Sequence, residues 1–192
     1  MEKAFTRLRR VFNYEETVFR LLAPHVTRGR VLSVGCGQGE IERLLQDRLR
    51  VAIEGVEVTR YRVQKIPTAL YDGKRLPFPD KSFDTCLFVY ILHHAQDRER
   101  LLREAARVTK GSIIILDHTY TNQVSKALLS LYDYAANLAY RMPIPLSFLR
   151  VREWRSLFQD VGLQVQEAGI PSSLNVFFSL RPGRRVRTAR AR

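Results

Sequence analysis

The chain has 192 residues, 45% of them apolar, and its 32 Lys and Arg outnumber 19 Asp and Glu to give a formal charge of +13. That length suits one domain with a substantial core, and no stretch approaches the ~20 apolar residues of a membrane span. The charged N-terminus (Glu2, Lys3, Arg7, Arg9, Arg10) leads into no apolar leader segment, so a cytoplasmic location is expected, with Cys36 and Cys86 as small buried thiols in a reducing compartment.

Residues 1–12 alternate apolar (Phe5, Leu8, Val11, Phe12) with basic positions, the pattern of an amphipathic helix. A second helix is expected from Tyr14 to His25, with Val18, Leu21 and Leu22 inward, until Pro24 and Gly29 break the pattern. Both belong to an N-terminal helical region, residues 1–28. Val31, Leu32 and Val34 then form a short apolar run, as in a strand buried on both faces. Gly35, Gly37 and Gly39 follow at spacing two, and from Glu40 the residues Ile41, Leu44, Leu45 and Leu49 share one helical face. A strand, a glycine turn and a helix let a ligand lie against bare backbone, beside the free N–H groups and positive dipole end of the helix. Such turns are also Gly-rich for packing alone. The nicotinamide-dinucleotide fingerprint is Gly-x-Gly-x-x-Gly; here the third glycine comes one residue early. The Gly-x-Gly-x-Gly spacing resembles motif I of the class I S-adenosylmethionine-dependent methyltransferases. That family has an acid two residues before the first glycine, helping to hold the methionine amino group. Ser33 stands there in this chain, and a hydroxyl can accept through water.

A second strand is expected over 51–58. Glu57 follows Gly35 at the separation, about 20 residues, where an acid can accept hydrogen bonds from ribose hydroxyls. Its competitor Glu54 points to the opposite face; Glu57, nearer the C-terminal end where open α/β sheets bind ligands, is preferred, with a solvated strand-end acid as the plain alternative. A short basic helix is expected from Thr59 to Lys65, then a third strand over 68–71, ended by Asp72-Gly73, itself a common turn pair. Leu76-Pro-Phe-Pro-Asp-Lys-Ser-Phe-Asp84 leads into an apolar strand over 85–92, followed by His93 and His94. Asp72, this run and the Leu-His-His ending resemble the small-molecule and quinone-type members of the same family, and Leu102-Arg-Glu-Ala-Ala-Arg-Val-Thr-Lys-Gly111 resembles its helix before the fifth strand. Together the motifs span residues 30–118 in the family's order. The resemblance implies a cofactor set: Ser33, Gly35, Cys36, Gly37 and Gly39 in the loop, Glu57 at the ribose, Asp72 at the adenine amine with Gly73 beside it, and Tyr90 and Ile91 as lining. Phe83 and Asp84 mark the start of the fourth strand.

A fifth strand is expected over 112–116, ending at Asp117 and His118. In the segment 119–150, Val124, Ala127, Leu128, Leu131, Tyr132, Ala135, Leu138 and Ala139 make one wide apolar stripe at helical spacing, stopped by Met142-Pro-Ile-Pro145. The stripe reads either as an acceptor pocket wall or as a helix covering the sheet edge. A helix over 151–161, capped by Gly162, and strands at 163–166 and 174–180 complete the chain. Strands alternating with helices predict an α/β fold, and the resemblance implies a Rossmann-like doubly wound seven-stranded sheet. It would be mostly parallel with the last strand antiparallel and helices on both faces, in one domain over 1–180.

The implied activity is methyl transfer from S-adenosylmethionine to a small, partly apolar or aromatic acceptor. The cofactor carries its own activation and the protein supplies orientation, worth about 7–11 kcal/mol. A hydroxyl acceptor is helped by a base; His94, His118 and Asp117 are the candidates, and a His pair after a strand is more often packing or helix entry. No metal-ligand set is read. From Arg181 to Arg192 there are six arginines and no acid, a tail able to hold RNA or an anionic membrane surface, or simply to solubilise the chain. RNA methylation through that tail, and a non-catalytic binding module of the same fold, are the competing functions.

Overall fold

The computed structural model describes residues 13–138 and 147–183. The expected helix over 1–12, the Met142–Pro145 stop and residues 184–192 of the basic tail lie outside the described residues.

Seven strands form one sheet: β1 (Arg30–Val34), β2 (Ala52–Glu57), β3 (Thr68–Leu70), β4 (Phe83–Val89), β5 (Thr109–His118), β6 (Leu163–Ser172) and β7 (Asn175–Pro182). Their spatial order is β3-β2-β1-β4-β5-β7-β6. The first five pair in parallel, and β7 runs antiparallel between β5 and β6. The helices are α1 (Tyr14–Leu22), α2 (Glu40–Leu49), α3 (Arg98–Val108), α4 (Gln123–Leu138) and α5 (Val151–Asp160). The expected Rossmann-like sheet, its antiparallel last strand and helices on both faces are all present.

Strand pleating sorts the apolar residues into two cores. Leu32, Val34, Cys86, Phe88, Ile113 and Ile115 face α3 and α5, meeting Leu102, Ala105, Trp154 and Phe158. Their strand neighbours Val31, Leu87, Ile114 and Leu116 face α1 and α2, meeting Val18, Leu22, Ile41 and Leu45. Burial on both faces is why β1, β4 and β5 read as continuous apolar runs rather than alternating ones. Asp84 ties three strand starts together. Its carboxylate accepts from Arg30 N at 2.9 Å and pairs with Lys110 Nζ at 2.9 Å. Asp97 caps α3 by accepting from Arg100 N at 2.9 Å.

Several expectations need correction. Residues 59–65 form no helix but a loop. So short a stretch nucleates a helix poorly, and it has no apolar face to bury, since Val63 is 53% exposed. The loop is held instead by Lys65 N, which donates to Gln38 O at 2.9 Å. The fourth strand stops at Val89 rather than 92. Tyr90 takes the left-handed region (φ 54°), and Leu92 N donates to the Asp117 carboxylate at 2.8 Å instead of continuing the ladder. Leu92–His94 is then a 3₁₀ turn. The helix expected from Tyr14 to His25 is α up to Leu22 only, with a 3₁₀ turn over Ala23–His25 at Pro24. The last strand runs on to Pro182, where it pairs with Leu163, so Arg181 belongs to the sheet and not to the tail. Finally, the apolar stripe of α4 faces outward: Val124, Leu128, Leu131 and Tyr132 are 51–70% exposed. The buried face carries Leu129 and Asp133, one helical turn apart. Leu129 packs with Tyr120 and Phe148 in a small separate cluster.

Candidate active site

The C-terminal ends of β3, β2, β1, β4 and β5 line up along one edge of the sheet. The strand order reverses between β1 and β4, where open α/β sheets leave a crevice. Every residue singled out from the sequence for cofactor or catalysis, except Ser33 inside β1, falls at or just beyond this edge.

The glycine loop has three left-handed glycines in five positions: φ is 70° at Gly35, 57° at Gly37 and 82° at Gly39. They serve different ends. A Cβ on Gly35 would lie 2.2 Å from Ile91 Cγ1, and one on Gly39 would lie 2.9 Å from Ile66 Cγ1, so both are packed against side chains. A Cβ on Gly37 would meet nothing within 4 Å. Gly37 therefore presents bare backbone to open space, while its N–H donates to Glu57 Oε1 at 2.5 Å. The other Glu57 oxygen accepts from Val58 N at 3.2 Å. Burial raises the Glu57 pKa, and these backbone donors work against the rise. The loop is anchored on β2 by Gly35 N, which donates to Val56 O at 2.9 Å. Cys36 sits in the loop with its thiol pushed up to about 12, chiefly by burial, and so stays protonated and unreactive.

Ser33 is buried on the α2 side of β1 and donates to Glu42 Oε1 at 2.7 Å. Glu42, absent from the sequence-based candidates, is only 3% exposed. Burial lifts its pKa to about 7, against the opposing pull of the Ser33 hydroxyl. The signal was available: Glu42 falls between Ile41 and Leu45 on the inward face of α2.

Beyond β3, Asp72 is exposed and organises its own turn, Oδ1 accepting from Lys74 N at 2.8 Å and Arg75 N at 3.0 Å. Those backbone donors hold its carboxyl below the usual range. The preceding residue ties this turn to the ribose candidate, since Tyr71 N donates to Glu57 O at 3.0 Å. A Cβ on Gly73 (φ 74°) would lie 3.4 Å from Val58 Cγ1. The turn borders an open depression of about 510 Å³ that runs from Leu70 to Pro79.

At the β4 and β5 ends the side chains are aromatic and ionisable. Tyr90 packs on His118, ring centres 4.7 Å apart, and on Tyr14 at 6.0 Å. Ile91 closes against Gly35 and so links this end to the glycine loop. Asp117 is fully buried. It accepts from Leu92 N at 2.8 Å and His118 N at 2.6 Å, and its Oδ1 lies 2.5 Å from His93 Nδ1. Burial works against ionising both members of this pair, but each stabilises the other: the Asp117 pKa falls and the His93 pKa rises to about 9. Three partners leave Asp117 as an orienting group rather than a free base. His118 Nδ1 lies 3.0 Å from Asn175 Oδ1, which can only accept, so Nδ1 carries the proton and Nε2 the lone pair. Burial lowers the His118 pKa. His94 is pushed down to about 4 by burial and then by the neighbouring His93 charge. Asp133 on α4 faces both histidines, 3.5 Å from His93 Nε2 and 3.6 Å from His94 Nε2. Neither His93 nor Asp133 was among the sequence-based candidates. Asp133 comes from a helix that follows the whole of α3 and β5, and no local pattern links it to the histidines.

The seven-stranded sheet, in the order β3-β2-β1-β4-β5-β7-β6, is of the class I methyltransferase type. A family model described as a methyltransferase domain matches residues 5–168; the chain belongs to that family. It is 31% identical over 114 residues to a "Probable S-adenosylmethionine-dependent methyltransferase" of Mycobacterium tuberculosis, covering 56% of this chain and 42% of that protein. It is also 31% identical over 140 residues to the 27-O-demethylrifamycin SV methyltransferase of Amycolatopsis mediterranei, covering 57% and 52%. The chain thus spans about half the length of these relatives or less. Among solved structures, a SAM-dependent methyltransferase of Thermotoga maritima superposes with a TM-score of 0.70 at 18% identity, over 95% of this chain and 96% of that one. The [4+2]-cyclase SpnF superposes with a TM-score of 0.69 at 16% identity, over 87% and 80%. At these identities the superpositions speak for the fold alone. Among the described residues no helix is long and apolar enough to cross a membrane.

Proposed function

We propose that the protein transfers the methyl group of S-adenosylmethionine to a small, partly apolar acceptor. The observation that carries this reading is the pairing at Gly37: its bare backbone faces open space while its amide is held by Glu57, a buried carboxylate at the next strand end. A Cβ at Gly37 would fill the space a ligand needs. Glu57 can turn its oxygens to vicinal ribose hydroxyls, and Asp72, already ordered by its own turn, can accept from an exocyclic amine. Glu42, bonded to Ser33, sets beneath the loop a carboxyl in place of the acid that the family has at position 33, and it gains its charge as pH rises through about 7.

When bound, the cofactor supplies a methyl group already activated on a sulfonium. The chain's residues orient donor and acceptor and keep water out. Tyr90 and His118 give the acceptor side an aromatic wall, which favours an apolar or aromatic molecule. For a hydroxyl acceptor, His118 Nε2 is the base, its tautomer set by Asn175 and its ring placed by Tyr90. Asp117 is a positioning residue that fixes the turn carrying His93 and His94.

Calorimetric titration with S-adenosylmethionine and its demethylated product tests the reading. Micromolar binding, weakened at least tenfold in Asp72→Ala and in Glu57→Gln, is expected. Absence of binding at millimolar ligand overturns it and favours a non-catalytic module. RNA binding that weakens steeply with salt would instead favour methylation of RNA.

A further inference from the structure

We propose that His93, His94 and Asp133 form a binding site for one divalent transition-metal ion of the zinc or cobalt class, on the acceptor side of the cleft. The donor set is two imidazoles and one carboxylate, which suits such ions and not calcium or magnesium. The three donor atoms lie within 4.8 Å of one another. Asp133 Oδ1 is 3.5 Å from His93 Nε2 and 3.6 Å from His94 Nε2. Those separations exceed the ~2.7–3.2 Å of an N–H···O hydrogen bond. They match the edge of a tetrahedron with metal–ligand distances of about 2.0–2.2 Å, which is roughly 3.4 Å. The two histidine nitrogens lie within 4.8 Å of each other, so for an ion to seat among all three donors the imidazoles must draw together toward about 3.4 Å.

The surroundings are those of a metal site. Metal-ligating histidines commonly give their other nitrogen to a carboxylate, which fixes ring and tautomer. Asp117 Oδ1 sits 2.5 Å from His93 Nδ1, leaving Nε2 toward Asp133, where a bound ion takes the place of the Nε2 proton. Asp117 is itself fixed by the Leu92 and His118 amides, so its orienting bond is not free to swing away. The His93 ring is also boxed in by Phe148 at 5.3 Å and His118 at 5.0 Å. Three protein donors leave at least one coordination position for water or an oxygen of another molecule. Binding of the ion stands on this geometry alone; a role in holding an acceptor's oxygen rests on the methyltransferase reading.

The test uses the full chain without an affinity tag, stripped with a chelator. Titration with Co²⁺, followed by visible absorption and then displaced by Zn²⁺, should give one ion per chain with a low-coordinate spectrum. His94→Gln and Asp133→Asn should each weaken Co²⁺ binding at least tenfold. A cooperative unfolding transition of each variant in the metal-free state would show that they remain folded. No specific Co²⁺ spectrum in the wild type, or equal Co²⁺ affinity in all three proteins, overturns the site. Glu57→Gln separates the two readings: it should lose cofactor affinity and keep the metal. Metal binding without cofactor binding in the wild type would sink the proposed methyl transfer and leave the ion site standing.

Discussion

The two ends of the cleft are built on different principles. At the glycine-loop end the functional surface is mostly backbone: bare Gly37, the amides that meet Glu57 and the turn around Asp72. Contacts there are set by residues close together in sequence or on neighbouring strands. At the histidine end it is mostly side chain. His93, His94, Asp117, His118, Asp133 and Phe148 come from two strand ends, a helix and a loop, well separated along the chain. In stability, the first end tolerates loss of the exposed Asp72 side chain and suffers when a Cβ is added at a left-handed glycine. The second holds buried charges whose removal leaves partners stranded.

Substitutions can sharpen this contrast. The largest effect is expected from Asp117→Ala, which strands the His93 charge and two backbone amides. Breaking a buried pair in this way costs about 3–5 kcal/mol, measurable by denaturant unfolding. A loss under about 1 kcal/mol would show that solvent reaches the cluster and break the comparison.

Next is Leu129→Ala, at a residue 2% exposed, with an expected loss of about 2–4 kcal/mol. Leu128→Ser on the outer face of the same helix should change stability by less than about 0.5 kcal/mol. Reversed values would restore the inward reading of the α4 stripe.

Glu42 gives a pH test. Its folded pKa of about 7 lies above the ordinary 4.5, so the folded state holds a proton that the unfolded chain releases first. Its contribution is fully present below about pH 4.5 and is lost as pH rises through about 7. The span is of order 3 kcal/mol. In Glu42→Gln this decline should disappear, so the variant gains on the wild type between pH 5 and pH 8. Parallel stability profiles would mean that Glu42 ionises freely.

Gly35→Ala should cost about 1–2 kcal/mol from the left-handed backbone plus the collision with Ile91. Gly37→Ala should share only the backbone cost yet weaken cofactor binding at least tenfold. Smallest in stability is Asp72→Ala, at an exposed turn, though its cofactor affinity should fall as far as that of Glu57→Gln. An Asp72 variant that binds normally would reduce that residue to a turn former.

Much of the glycine-loop end was legible in the sequence. Gly35, Gly37 and Gly39 after an apolar run require a turn with left-handed backbone wherever the chain packs. The strand-helix alternation leaves few sheets to build, and the seven strands form the mostly parallel sheet with an antiparallel last strand that the resemblance implied. The exceptions are instructive. Residues 59–65 carry basic helix formers but have no face to bury, so packing against Gln38 decided for a loop. Tyr90 ends β4 early, because Asp117 captures the Leu92 amide, and an apolar pattern cannot show that competition.

Composition and local pattern therefore determined what depends on neighbours in sequence: the strand cores, the glycine turn and the acid at the end of β2. Tertiary structure decided what depends on distance across the chain. Only the fold sets Glu42 under Ser33, turns the Leu128 stripe outward and brings Asp133 to His93 and His94 from a helix much later in the chain. The physical reason is that hydrophobic periodicity reports which residues prefer burial. A buried carboxylate is tolerated only where a partner from elsewhere already waits, and that partner leaves no mark in the local sequence.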